Sequence, residues 1–568
     1  MSNPMITKVY LLDTPLEGDY ENTLYFDSKE AQTEYFLSKV RNGYTFTDFS
    51  YQRKDGFIRV PMHIDKLYNC NYVMYQNTAY SNKWFYAFIT DMVYISGNED
   101  GTDGRTDVYI QTDVIQTWLF DYEVLPSFVE REHTASDEIG EHTYPEGLET
   151  GEYKCNIHTT ENYLESSNVG GYGLDQLDVV IASTIDIASA KEGEKVQENG
   201  KLYNGIYSGV TYTAIALPDH ELDEGAYKTI NKIFNKVDEE GWAEAIKTIF
   251  IAPRSLTGNT SGSSKEVAES KEPIEYDILC DKFYYMDGHN VRNKKLYCYP
   301  YNYLLVSNNN GGNAIYQYEH FTDSTIPGQM QFRIKGVLTP GCAIRMTPIN
   351  YKGAVINDEE GINLGKFPIC NWNSDAYTNW LTQNSVNIGV SVATGLATVA
   401  AGAAMVAGVA AAPVTGGASL AITAGTMAGG AMTAASGVAQ VGSTIGQVYQ
   451  QSFTPPQAKG NLNAGDVITA GKTNTFHFYS MSIKKEYAEI IDSYFDLYGY
   501  KVCKVKKPEE NHRETWWYTK TVNVNIDGPI PGKDMQTIKD CYNRGIRFWR
   551  HPDYVGRLDF INGIRPKE

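Results

Sequence analysis

The sequence predicts a mainly β protein with some helix, an α+β chain organised as several domains. Three observations carry this reading. The chain holds 42 Tyr, 21 Phe and eight Trp, and aromatic rings pack well on a pleated surface. Its apolar residues fall in short alternating runs between Asn and Gly clusters, the pattern of half-buried strands joined by turns. At 568 residues it is long enough for roughly three to four domains with cores of their own.

Taken in order, Asp27 with Glu30 is placed to cap a short helix running to about Lys39. Gly56 to Tyr122 reads as successive strands. Val108, Ile110, Thr112 and Val114 alternate with Asp107, Tyr109, Gln111 and Asp113, which gives one buried face. Trp84 to Ile89 is apolar on both faces and suits a central strand or one pressed against a neighbouring subunit. Glu130 to Glu152 and Pro253 to Pro273 are rich in turn residues and read as loops or boundaries. Between them, Tyr227, Ile230, Phe234 and Val237, then Trp242, Ile246 and Ile249, recur at helical spacing with Gly241 as a break. Tyr299 to Val306 and Ala314 to Tyr318 flank an Asn and Gly cluster as a hairpin would, and Met330, Phe332 and Ile334 mark a further strand. Towards the C-terminus come a helix from Ile483 to Tyr498 closed by Gly499, strands through Val522, Val524 and Ile526, a short helix ending near Gly545, and a strand at Ile546 to Trp549.

Composition narrows the function. Sixty-nine acidic residues against 49 basic ones leave a net charge of −20, the wrong sign for a surface that neutralises phosphates. The eight cysteines show no CxxC pair or zinc-ligand spacing, so free thiols are expected and no metal. Met1 to Asp13 lack a basic segment followed by an apolar one, so no secretory signal is read and assembly in a cytoplasm is expected. The ten histidines are scattered, and no HExxH, GxSxG or phosphate loop appears. Gly170-Gly171-Tyr172-Gly173 is too short for a dinucleotide fingerprint and reads as a turn. No cofactor and no catalytic residue is expected.

One segment stands apart. Ala376 to Ala458 is 83 consecutive positions without Asp, Glu, Lys or Arg in a chain that is 21% charged, and Ser391 to Gln440 holds 18 Ala and 9 Gly. Pro413 and the Gly416-Gly417 pair divide it into two arms, Asn384 to Ala412 and Ala418 to Gln451. Each arm exceeds the ~20 residues a helix needs to cross a bilayer. The residues expected to meet lipid are Val390, Val399, Met405, Val409, Pro413, Leu420, Gly425, Met427, Gly429 and Met432, with Gly425 and Gly429 forming a GxxxG. Ala and Gly contribute little transfer free energy, so the protein is expected to be made soluble. Three readings stand side by side: a helical hairpin buried in the monomer, a low-complexity loop, and an apolar segment that acts on membranes when released.

The run Ile64-Asp65-Lys66-Leu67, Gln76-Asn77 and Asn82-Lys83-Trp84-Phe85-Tyr86-Ala87-Phe88, followed by Asp113-Val114-x-Gln116-Thr117-Trp118 and Arg131-Glu132-His133, resembles the tail knob, or distal tail tube, proteins of Picovirinae-type short-tailed bacteriophages. Tyr498-Gly499-Tyr500-Lys501, Val505-Lys506-Lys507-Pro508 and Gly545-Ile546 with Trp549 resemble the same family in the same order. The likeness covers about Ile64 to His133 and Met481 to His551; the stretch from Ala135 to Tyr351 is read from pattern alone.

The resemblance implies a subunit whose N- and C-terminal segments form a β-rich tube wall in a ring-shaped hexamer, with Trp84, Tyr86, Asp113 and Trp118 in the wall. It implies residues 1–134 and 452–568 as one tube domain, 135–350 as an inserted β-rich region, 351–383 as a connector and 384–451 as an apolar tip loop. Its partners would be further copies of itself, other phage tail proteins, the host cell membrane, and viral DNA passing through without specific binding. It places the protein at the virion tail tip, where the loops plug a DNA channel and then penetrate the membrane. A different class of function is host cell-wall attachment through the Tyr-rich middle region, Glu141 to Arg345, with the Ala/Gly-rich tract purely structural.

Overall fold

The computed structural model describes residues 7–49, 56–77, 83–97, 104–162, 165–166, 176–187, 201–216, 245–259, 264–322, 328–352, 361–364 and 475–559, with isolated positions between them. The chain folds as two units. The first joins Met1–Glu149, His289–Leu296 and Lys485–Glu568, and the second joins Thr150–Gly288 and Tyr297–Lys484.

The first unit is built on two sheets. A six-stranded antiparallel sheet runs in the order Val40–Phe49, Thr7–Leu12, Tyr72–Asn77, Trp84–Ile95, Arg105–Thr112, Gly56–Val60. Trp84–Ile95 lies inside it, and its alternation sends Phe85 and Ala87 into one core and Tyr86 and Phe88 into another. That is why this strand is apolar on both faces. The second sheet runs Asn22–Leu24, Ile546–Trp549, Trp516–Val522, Ser127–Glu132, Tyr500–Lys506. Tyr72, Met74, Tyr86 and Phe88 share one core with Trp516, Trp517, Phe548 and Trp549 of that sheet. Helices Lys29–Ser38, through Phe36, and Gly532–Arg544, through Ile538, Cys541 and Tyr542, complete it.

The second sheet is a graft of distant segments. Ser127–Glu132 sits between Tyr500–Lys506 and Trp516–Val522, antiparallel to both. The consecutive residues Arg131, Glu132 and His133 are all buried there. Arg131 Nη1 donates to the Gly499 carbonyl at 2.6 Å, and its other amino group pairs with buried Glu146. Glu132 accepts from the Glu509 amide at 2.8 Å and pairs with Lys506. His133 Nδ1 accepts from the Tyr518 amide at 2.9 Å, which leaves Nε2 to carry the proton and donate to the Asp496 carbonyl at 2.9 Å. Gly499 closes helix Lys485–Tyr498 with φ 62°, and a Cβ on it would lie 2.0 Å from the Glu132 carbonyl oxygen. Only glycine meets both demands.

The second unit is also sheet-built. Its five-stranded sheet runs Glu165–Ser166, Tyr153–Asn162, Phe476–Ile483, Asn302–Ser307, Asn313–Tyr316, and its four-stranded sheets are Ile246–Pro253, Leu177–Ser183, Thr211–Ala216, Ser264–Glu266 and Ile274–Asp281, Gln329–Val337, Ala343–Ile349, Ile362–Asn363. One core takes Val180 and Phe250 from the first of these, Phe332 and Met346 from the second, and Val306 and Phe478 from the five-stranded sheet.

The mainly β class and most elements agree with the sequence reading. The hairpin closed over Ser307–Asn313, the strand carrying Met330, Phe332 and Ile334, the helix ended by Gly499 and the final strand are all present. Four expectations are corrected. Ile246 and Ile249 lie on strand Ile246–Pro253, which pairs with Leu177–Ser183 through a register shift beside Ile246; both pack with Ile181 and Ile215 while Phe250 enters the larger core, so the three-residue spacing that reads as helical arises here on a strand. The first helix begins at Lys29 and is capped by Ser28, whose hydroxyl accepts from the Ala31 amide, rather than by Asp27. The Gly56 to Tyr122 run is not all strand, because Asp113 caps helix Val114–Trp118. The expected loops are partly ordered: Glu130–Glu132 ends a strand, and Pro253–Pro273 contains helix Arg254–Thr257 and strand Ser264–Glu266. Tyr227, Ile230, Phe234, Val237, Trp242 and Gly170–Gly173 lie outside the described residues. The described cysteines are free thiols.

His133 gives the first unit a pH dependence. Burial, with Arg513 nearby, holds its imidazole well below the ordinary value of about 6.5. The folded state therefore binds this proton less readily than the unfolded chain, so its contribution is intact above about 6.5 and is lost as pH falls below it. Amide exchange at Trp516–Val522 should accelerate as pH is lowered through 6.5 to 5 after correction for intrinsic rates. His133→Phe should lower stability at pH 7.5 by about 2–4 kcal/mol, leaving the Tyr518 amide and Asp496 carbonyl unanswered, and should flatten that pH slope.

Candidate functional site

The four wall residues named from the sequence all lie in the first unit. Tyr86 and Asp113 are buried, while Trp84 and Trp118 are half-buried. Three of them converge on helix Val114–Trp118. Asp113 accepts from the Gln116 amide at 3.0 Å and from the Tyr72 hydroxyl at 2.8 Å, and its own amide donates to the Tyr86 carbonyl at 2.8 Å. The Thr117 hydroxyl bridges the amide and carbonyl of Tyr86, 3.1 Å from each. Trp118 donates its indole N–H to Asp534 at 2.8 Å and carries the Lys83 ammonium 3.5 Å from its ring centroid, with Lys83 also paired to Asp121. Trp84 stands apart and packs against Tyr10. These contacts fix a short helix across the strand Trp84–Ile95 and tie it to the C-terminal helix Gly532–Arg544.

The residues expected to meet lipid, Val390 to Met432, lie outside the described residues. Their flanks are described, and both are set in the core of the second unit. On the N-terminal side the Leu364 amide donates to Ile344 at 2.8 Å and the Phe367 amide to Gly341 at 2.9 Å, with Phe367 buried. On the C-terminal side Thr475 and Phe476 are fully buried, and Phe476 opens a strand held by Tyr153–Asn162 on one edge and Asn302–Ser307 on the other. Phe367 and Phe476 belong to one core. Among the described residues, no helix is long and apolar enough to cross a membrane.

Sequence reasoning missed two buried ionic centres. Asp492, fully buried on helix Lys485–Tyr498, accepts from His289 Nε2 at 2.7 Å, from the Arg292 and Asn293 amides at 3.0 Å each, and from Asn293 Nδ2 at 2.8 Å. It clasps the His289–Leu296 segment into the first unit. Its signal was an aspartate in the apolar stripe Ala488, Ile491, Phe495. The second is Glu146, whose carboxylate is completely buried between Arg131 and Lys295. Nothing in its acidic, turn-rich surroundings marked it.

Residues 260–563 match the family described as the C-terminal domain of the Bacillus phage phi29 tail knob protein gp9, and residues 6–123 match the caudoviral major tail protein N-terminus. Curated relatives named "Tail knob protein gp9" align almost end to end: that of Bacillus phage B103 is 25% identical over 97% of this chain and 98% of its own length, and that of Bacillus phage PZA is 26% identical over 98% of each. The solved tail knob protein gp12 of bacteriophage C1 shares the fold, with a TM-score of 0.55 at 14% identity over 98% of this chain and all of its own. This is a phage tail structural protein. The chain belongs to the tail knob protein family and is a component of the virion tail.

Asp113 supplies a test of this geometry. Burial raises its carboxyl to about 6 from 3.8, so the folded state holds the proton more tightly than the unfolded chain. Its contribution is then fully present below about 4 and declines as pH rises through 6, by about 3 kcal/mol for a shift of this size. Asp113→Asn, which keeps an acceptor for the Gln116 amide, should show a higher melting temperature than the parent protein at pH 7.5 and lose that advantage at pH 4. An equal difference at both pH values would mean the carboxyl is not buried as described.

Proposed function

We propose that six copies of this chain form the wall of a distal tail tube through which viral DNA leaves, and that the apolar tip loop, residues 384–451, first plugs the tube and then penetrates the host cell membrane. In this reading the unit joining the two ends of the chain is the wall, with Trp84, Tyr86, Asp113 and Trp118 as its internal braces. The region 135–350 is an insertion and 351–383 a connector to the loop. The role is structural, without catalysis, and other tail proteins are its neighbours in the virion. The acidic balance fits a channel whose wall does not retain DNA.

The observation that carries the proposal is the tract of 83 uncharged positions within the segment between Phe367 and Phe476, two residues fixed in one core. A segment with firm anchors at both ends and a long uncharged tract inside it can leave and meet lipid without unfolding the body that holds it. Solvated loops ordinarily keep some charge, and the 83-residue tract keeps none.

Dye release from liposomes measures the membrane step. The intact protein is expected to release dye, more strongly after mild acidification, and a deletion of Asn384–Gln451 is expected to leave vesicles sealed. Equal release from both proteins would remove the membrane role. Sixfold rings with a central opening in negative-stain images would carry the tube part separately.

A further inference from the structure

The outer face of the five-stranded sheet in the second unit is bare of charge. One row of directly opposed residues crosses four of its strands, from His158 through Tyr479 and Leu305 to Ile315. The row on one side runs through Cys155, Met481 and Tyr303, and the row on the other through Thr160, His477, Ser307 and Asn313. None of these is Asp, Glu, Lys or Arg. The face is nevertheless open: Ile315 is 45% exposed, His158, Cys155 and Asn313 are exposed, and Tyr479, Leu305, Met481 and Tyr303 are half-buried.

An antiparallel sheet with one face in a core ordinarily turns polar and charged residues outward on the other. The neighbouring sheet of the same unit does so, setting Asp277 against Arg333 and Glu275 against Lys335 across its strands. The bare face is also flat. The His158 ring lies on Tyr479 with centroids 4.5 Å apart and planes 4° from parallel, and on His477 at 5.3 Å and 13°. Contiguous open surface of this kind marks a place that something covers.

We propose that this face is the resting seat of the uncharged tract, Ala376–Ala458. The seat deepens the reading of that tract as a concealed segment and rests on that part of it. A covering segment that carried Asp, Glu, Lys or Arg would bury the charge against a face with nothing to answer it. The tract covers it without burying any. Its C-terminal side rejoins the described chain at Thr475, and the next residue, Phe476, opens the central strand of this same sheet. The residues between Ala458 and Thr475, at up to about 3.3 Å each, reach past every strand of a sheet whose strands stand about 4.8 Å apart. A second copy offering the same face would pair it with itself, which makes a closed twofold dimer rather than the head-to-tail contacts of a ring.

Cys155 is a free thiol on this face, and its alkylation by N-ethylmaleimide, read at the Cys155 peptide by mass spectrometry, tests the seat. In the full-length protein the rate is expected to be roughly tenfold or more below that of a variant lacking Asn384–Gln451. Ile315→Asp puts a charge at an exposed position of the face, on a different strand from Cys155. It is expected to speed labelling of the full-length protein by roughly fivefold or more while the melting curve shows the protein folded. Equal rates in the intact protein and a folded deletion variant would overturn the seat. So would protection that survives the deletion and disappears on dilution, which gives the face to a second copy. Labelling unchanged by Ile315→Asp would also overturn it, and that variant decides the matter should the deletion fail to fold. Dye release plays no part in the measurement, so the seat can fail while the membrane role stands.

Discussion

The first unit depends on one strand being held by two others that arrive more than 350 residues later in the chain. Ser127–Glu132 pairs with Tyr500–Lys506 and Trp516–Val522, and through that insertion Trp516, Trp517, Phe548 and Trp549 reach the core shared with Tyr72, Tyr86 and Phe88. The pairing is selective because three consecutive residues of differing charge are buried there. Arg131, Glu132 and His133 are each answered by a group of the C-terminal segment. Removing one partner from such a buried set leaves an uncompensated charge or donor, at a cost on the order of 3–5 kcal/mol for an ion pair. Another strand laid in the same place would leave all three unanswered. Gly499 enforces this sterically, since any side chain there meets the Glu132 backbone.

That constraint orders the rest of the chain. The second unit and the uncharged tract are strung between the two halves of the first unit, so neither half buries its edge until the other is present. The His289–Leu296 segment strengthens the joint from a third direction. It passes back into the first unit, where Asp492 answers two of its backbone amides and two of its side chains, and Lys295 pairs with buried Glu146. Sequence-distant contacts of this kind fold slowly because closing the intervening loop comes before the contacts that reward it. They also lock the three segments of the first unit to one another.

Local pattern carried the strands and helices, and it failed where local pattern is silent. Trp84–Ile95 was legible as a central strand because both its faces are apolar, and helix Lys485–Tyr498 because of its spacing and its closing glycine. Ile246 and Ile249 were misread because their three-residue spacing reads as helical, whereas on the strand paired with Leu177–Ser183 a register shift beside Ile246 brings both to one cluster. Trp84, Tyr86, Asp113 and Trp118 were singled out by resemblance. The geometry adds what the resemblance could not give: Asp113 is a helix cap inside a buried tyrosine pair, and Trp118 is a bridge between Lys83 and Asp534. Asp492 was visible in principle as a charge in an apolar stripe. Glu146 was not, because its burial is created by residues far away in sequence.

The same separation of local and distant effects bears on why a segment as plain as Ala376–Ala458 suits its place. Closing a loop costs free energy that grows only with the logarithm of its length, so a long excursion between Phe367 and Thr475 costs the second unit little more than a short one. What matters is the firmness of the two ends. Each end is fixed by backbone hydrogen bonds and a phenylalanine in one shared core. Large apolar side chains in the excursion would compete for that core during folding, whereas alanine and glycine offer it little. A tract made of small residues therefore leaves the body free to fold around its two ends.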